Sequence, residues 1–179
     1  MIANEPEFFI ALAGVAATLI GAFLIGVFFY IDSEQHRHLT ASLAADLYLR
    51  AGVRWIFAVL ALPLFVSLAL VAIEPLIGAI VFIVFSGILV VCTIAAARRI
   101  MAAGASGSSR SLVVNQWFSA VCVLAIIVMP WILGGWVPAA EAFVPSMMLS
   151  LAAGFSSTAA LVMAQFDATM GMSMDPDQS

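Results

Sequence analysis

Five stretches of this chain are long and apolar enough to cross a lipid bilayer. A spanning helix needs about 20 mostly apolar residues to cover roughly 30 Å of hydrocarbon. Residues 8–31, "FFIALAGVAATLIGAFLIGVFFYI", contain no charged side chain. Further runs cover about 52–73, 76–97, 112–133 and 143–166. Of the 179 residues 65% are apolar and only 9% charged, against roughly a quarter charged in ordinary soluble domains. A water-soluble fold of this size could not hide so much apolar side chain. Disordered chains are poor in apolar residues and rich in charge, so the same count excludes disorder. Six Arg, no Lys and a formal net charge of −4 also exclude a nucleic-acid partner. The expected fold is therefore all-α: a polytopic membrane protein whose residues 1–166 form a bundle of five transmembrane helices in contact with lipid.

Residues 52–97 are divided in two because about 46 apolar residues are twice what one crossing needs. Glu74 and Pro75 mark the division, since proline disfavours helix at the residue before it. Pro63 and Pro130 fall inside spans, where each should kink the axis and free a carbonyl. Such breaks are tolerated in lipid when neighbouring groups satisfy the freed backbone.

Arginine sets the expected orientation. Arg37, Arg50 and Arg54 lie between the first two spans, and Arg98, Arg99 and Arg110 between the third and fourth. Both basic connections should be cytoplasmic, with the N-terminus outside and the C-terminus inside. The acidic start "MIANEPE" agrees and argues against a cleaved signal peptide, which would begin with positive charge. Residues 102–111, "AAGASGSSRS", read as a flexible link. Residues 39–55 instead have helical spacing: Leu39, Leu43 and Leu47 recur every fourth residue, with Asp46 and Arg50 one turn apart. This amphipathic cytoplasmic segment either extends the second helix or lies at the headgroups. Trp55, Trp117, Trp131 and Trp136 fall near helix ends, where indole rings prefer the interface. Residues 167–179 form an acidic cytoplasmic tail, poorly ordered unless docked.

The clearest pattern is a row of small residues in the first span. Gly14, Thr18, Ala22 and Gly26 are spaced by four, with Ala13, Ala17 and Gly21 in a parallel row. Helices in lipid associate largely by close backbone approach through such residues, so the first helix should be central and tightly packed. The last span carries a similar stripe of Ser146, Ser150, Ala153, Ser157, Ala160 and Ala164. Either stripe can serve packing within the chain or contact between subunits, and the hydroxyls of the second could also line a pore.

Intramembrane ionisable groups usually mark function in such proteins, and none lies near the middle of a span. That counts against ion-coupled transport. The absence of Lys excludes a retinal Schiff base, and no span holds a His to ligate haem; no cofactor is expected. Asn115, Gln116 and Gln165 lie near cytoplasmic helix ends, as hydrogen-bonding glue or as an inner constriction of an oligomeric pore. Glu5, Glu7, Glu74 and Glu141 are the charges expected outside; around a symmetric oligomer, Glu74 and Glu141 would form a cation-attracting mouth. Acids left over where Arg is depleted are the plainer explanation. In "IDSEQHRHL", Asp32 shares a helical face with His36, and Glu34 with His38, a pattern that could bind a metal or sense pH; a solvated charged turn is the ordinary alternative. Cys92 and Cys122 read as small apolar residues. No nucleophile, base and orienter set is visible, so no enzymatic activity is expected.

The opening "FFIALAGVAATLIGAFLIGV" resembles the first helix of a widespread group of small bacterial multi-pass membrane proteins of unknown function. The resemblance covers the N-terminal thirty or so residues and departs after Gly21, where the group runs on in simpler Leu/Phe/Val sequence to a polar residue. It implies a bacterial cytoplasmic membrane and carries over no catalytic or binding residue. The expected function is non-enzymatic: assembly as a homo-oligomer or as a subunit of a larger membrane complex. A homo-oligomeric cation channel is the alternative, and a metal or pH regulator a further one.

Overall fold

The computed structural model describes residues 5–32, 43–72, 75–103, 110–136 and 138–173, which are helical apart from the turn around Gly135. The helices are α1 (Glu5–Asp32), α2 (Leu43–Ala72), α3 (Pro75–Ala103), α4 (Arg110–Gly134) and α5 (Val144–Ser173), with a 3-10 turn over Ala140–Phe143. Each contains a segment long and apolar enough to cross a membrane, so the five-helix expectation holds at that level.

Boundaries follow local chemistry. Pro75 opens α3, a position where its missing N–H has no intrahelical carbonyl to meet. Gly135 closes α4 in the left-handed region (φ +68) and donates its N–H to the Trp131 carbonyl at 3.0 Å. That single bond is the glycine cap of a helix end. α2 is continuous from Leu43, so residues 43–55 of the amphipathic segment extend the second helix rather than forming a separate surface helix. Residues 39–42 lie outside the described residues. α5 continues to Ser173, so the first seven residues of the expected tail are helical. Ala168 and Met170 are strong helix formers, and nothing between Phe166 and Gly171 breaks the ladder.

The centre of the bundle is α2, which packs against α1, α3 and α5. Half of its spanning segment is enclosed (50%), against 28% for α1 and 17% for α4. This corrects the expectation that the first helix is central. The core is built from large α2 side chains, among them Ile56, Val59, Leu60, Leu62 and Val66. On α3 the buried positions are Ala79, Phe82, Ser86, Leu89 and Thr93, spaced alternately three and four. That spacing is the seam of closely aligned helices. The opposite face of α3 exposes Ile80, Ile83, Val84, Ile88 and Val91. A helix apolar on both faces suits a lipid surround, not water.

Contacts fix the directions. Trp55 meets Thr93 and Phe65 stacks on Phe85 at 4.8 Å, so α2 and α3 are antiparallel. Ser67 meets Met147 while Leu60 lies against Gly154, so α2 and α5 are antiparallel as well. α3 and α5 therefore run in the same direction.

Candidate functional site

The two small-residue stripes part company in the structure. On α1 the buried residues are Phe9, Leu12, Ala13, Ala16 and Phe23, and these meet α2. Gly14, Ala17, Thr18, Ala22 and Gly26 are exposed, and Gly21 is half-buried. A Cβ placed on Gly14, Gly21 or Gly26 would meet nothing within 4 Å. Ala13 of the parallel row is buried, but packing among the described residues does not use Gly14, Ala17, Thr18, Ala22 or Gly26. Ile10, Val15 and Ile25 are also exposed on α1, larger than the small residues they accompany. Thr18 spends its hydroxyl on the Gly14 carbonyl at 2.8 Å, which leaves the row without an unmet donor.

The α5 stripe does the opposite at its start. Ser146 and Ser150 are fully buried, and Gly154 is buried one turn beyond Ser150. A Cβ on Gly154 would come 2.5 Å from Leu60 Cδ2 and 3.2 Å from Val59 Cγ1, so the α5 backbone itself rests on α2. Ser150 Oγ donates to the Val59 carbonyl. Val59 is four residues before Pro63, which has no N–H to offer that carbonyl. The hydroxyl thus replaces the bond that the proline removes, one helix satisfying the break in another. Farther along, Ser157 is half-buried and Ala160 exposed. Thr158 returns its hydroxyl to the Gly154 carbonyl at 2.9 Å.

Other polar groups are placed as follows. Trp55 is buried within the bundle: its Nε1 donates to Thr93 Oγ1 at 3.0 Å, and Thr93 donates to the Leu89 carbonyl at 2.8 Å. Trp117 and Trp136 are 70% and 98% exposed near opposite ends of the α4 span, and Trp131 is half-buried. Glu141 is exposed on the 3-10 turn. Glu74 lies outside the described residues, as do Glu34, His36 and His38. Asp32 ends α1, and Asn115, Gln116 and Gln165 lie within α4 and α5, with side chains outside the description. Cys92 and Cys122 are half-buried free thiols.

The sequence reading missed the Ser150 to Val59 contact, although its two halves were visible as Pro63 and the serine stripe. It also missed Trp55 as an interior donor, because Thr93 is distant in sequence and no local pattern pairs them.

Five apolar helices, three of them packed directly on the central α2, with apolar outer faces, fit a multi-pass membrane protein. Comparison with protein families, with curated proteins and with solved structures finds no match.

Proposed function

We propose that this chain is a non-enzymatic multi-pass subunit of a bacterial cytoplasmic membrane that acts by assembling through the outward face of α1. The N-terminus faces out and the C-terminus in, as the arginine-bearing connections indicate. Trp117 and Trp136 support the placement in lipid: α4 rises about 26 Å from Trp117 to its end at Gly134, at 1.5 Å per residue, close to the hydrocarbon thickness, and Trp136 lies just beyond.

One observation carries the assembly reading. Gly154 is closed over by Leu60 and Val59, and Gly134 by Pro138 and Ala142, so packing within the chain accounts for both. The three glycines of α1 have open space around them. In lipid, a row of this kind lets another helix approach closely, and dispersion between backbones then drives association. The occupant is the same row on a second copy, since a two-fold contact needs only one self-complementary surface. A different membrane subunit on that face would show as a second chain in the purified particle.

The test is the detergent-corrected native mass, compared with the 18.9 kDa of one chain. Gly14→Leu with Gly26→Leu places large side chains in open space, so the bundle should fold while the particle falls to one chain. A double variant that keeps the parent's mass, or a parent that is already one chain without a partner, removes the proposal.

A further inference from the structure

The buried polar side chains among the described residues are all hydroxyls: Ser67, Ser86, Thr93, Ser146 and Ser150. Ser67 reaches Met147 Sδ at 3.4 Å, Thr93 joins Trp55 to the Leu89 carbonyl, and Ser150 holds the Val59 carbonyl. Ser86 Oγ and Ser146 Oγ are enclosed with no hydrogen-bond partner among the described residues. A buried donor left unmet in an apolar interior forfeits the bond it would make in water, so natural folds seldom leave one.

Both hydroxyls belong to one region of the bundle. The Phe65–Phe85 stack brings Ser86 level with Pro63 and Leu64 on α2. The Leu60–Gly154 and Ser67–Met147 contacts bring Ser150 to the same level and Ser146 one turn farther along α2. Ser86 thus lies level with Pro63 and Ser146 about one turn beyond it, on two helices that run in the same direction. Phe82, one turn before Ser86 on α3, meets Phe143, the last residue of the 3-10 turn that leads into α5, ring edge to face at 5.1 Å. Phe82, Phe143, Leu62, Val66 and Met147 are all fully buried, so this seam is shut off from any outside solute.

We infer that internal water is bound beside Pro63 of α2, held by the hydroxyls of Ser86 and Ser146. The chemistry selects the ligand. No charged side chain is among the buried described residues, so the ligand is neutral, and the side chains that enclose the place are large and apolar, so it is small. It must accept from two hydroxyl donors, and Ser150 Oγ, already donating to Val59, keeps lone pairs to accept in return. Water meets all three demands, and buried waters ordinarily make two to four such bonds. A proline break in lipid is a fitting place for one, since ordered waters help to satisfy freed backbone there.

The experiment is a density map of the whole chain in lipid, at a resolution that shows ordered solvent. The expected result is a peak about 3 Å from Ser86 Oγ and from Ser146 Oγ. Hydroxyls turned back onto the Phe82 and Ala142 carbonyls, with no peak between them, would overturn the inference. Unfolding equilibria give an independent reading. Ser86→Ala and Ser146→Ala should each raise the unfolding constant about 3- to 10-fold, because the water loses a partner. An unchanged or lower constant means the hydroxyl held nothing, and that too overturns the inference.

Discussion

The bond between Ser150 and Val59 gives the sharpest quantitative expectation. Ser150→Ala removes one oxygen and keeps the Cβ, so the contact of Gly154 with Leu60 and Val59 is untouched. What changes is the Val59 carbonyl, which has no N–H from Pro63 and loses its only cross-helix donor in view. Orphaning a buried acceptor costs about 1–3 kcal/mol in water-soluble folds. Measured interhelical hydrogen bonds in membranes average about 0.6 kcal/mol and reach about 1.7. Pro63 removes the carbonyl's ordinary helical partner, which points to the upper part of that range. The expected loss is about 1–1.5 kcal/mol, or roughly 5- to 10-fold in the unfolding constant. The decisive comparison is with Pro63→Ala, where residue 63 regains an N–H and Val59 its ordinary helical bond. In that background Ser150→Ala should cost only a few tenths of a kcal/mol, because the hydroxyl is no longer needed. Reversible unfolding in mixed detergent micelles, run on all four members of the cycle, measures the difference. Equal costs in both backgrounds would refute the claim that the serine stands in for the proline's missing donor.

Two further expectations follow from the same geometry. Thr93→Val keeps the shape of the side chain but removes the acceptor for Trp55 Nε1, so stability should drop by about 0.6–1.7 kcal/mol in the same unfolding assay; Thr93→Ser should restore most of it, and a Val variant as stable as the parent would show that the bond contributes nothing. For orientation, Cys92→Ser and Cys122→Ser first remove the native thiols. Glu5→Cys should then react with an impermeant maleimide added outside intact cells, and Ser108→Cys should not; the reverse pattern inverts the topology.

The helices were legible in the sequence because length and apolarity alone determine them. Pro75 also announced its break through elementary backbone chemistry. What could not be read was direction. In a soluble helix the polar face points outward, but α3 carries Phe82 and Leu89 inward and Ile83, Ile88 and Val91 outward, which differ little in hydropathy. Periodicity then reveals a helix without saying which face meets its neighbours. Trp55 shows the same loss of information. An indole near a helix end reads as an interfacial anchor, yet here the adjoining helix supplies Thr93 and draws the ring inside.

The small-residue stripes show why pattern had to yield to packing. Spacing by four was as clear on α1 as on α5, and it suggested the same role for both. On α5, Ser150 and Gly154 are small because α2 passes directly over them, and the hydroxyl is there because Pro63 leaves Val59 unmet. On α1, Gly14, Ala17, Thr18, Ala22 and Gly26 are exposed, and no described residue lies within 4 Å of where a Cβ on Gly14, Gly21 or Gly26 would stand. Glycine in a helix interior costs about 1 kcal/mol relative to alanine, so Gly14, Gly21 and Gly26 together forgo roughly 3 kcal/mol that packing within the chain does not return. An open glycine alone signifies little: Gly87 on α3 also has nothing within 4 Å, and the exposed side chains beside it are Ile83, Val84, Ile88 and Val91. α1 differs because its glycines are joined by Ala17, Thr18 and Ala22 into a continuous low row. A lipid tail covers Ile or Val as readily as Gly, so lipid gives no reason for such a row, whereas a second helix does.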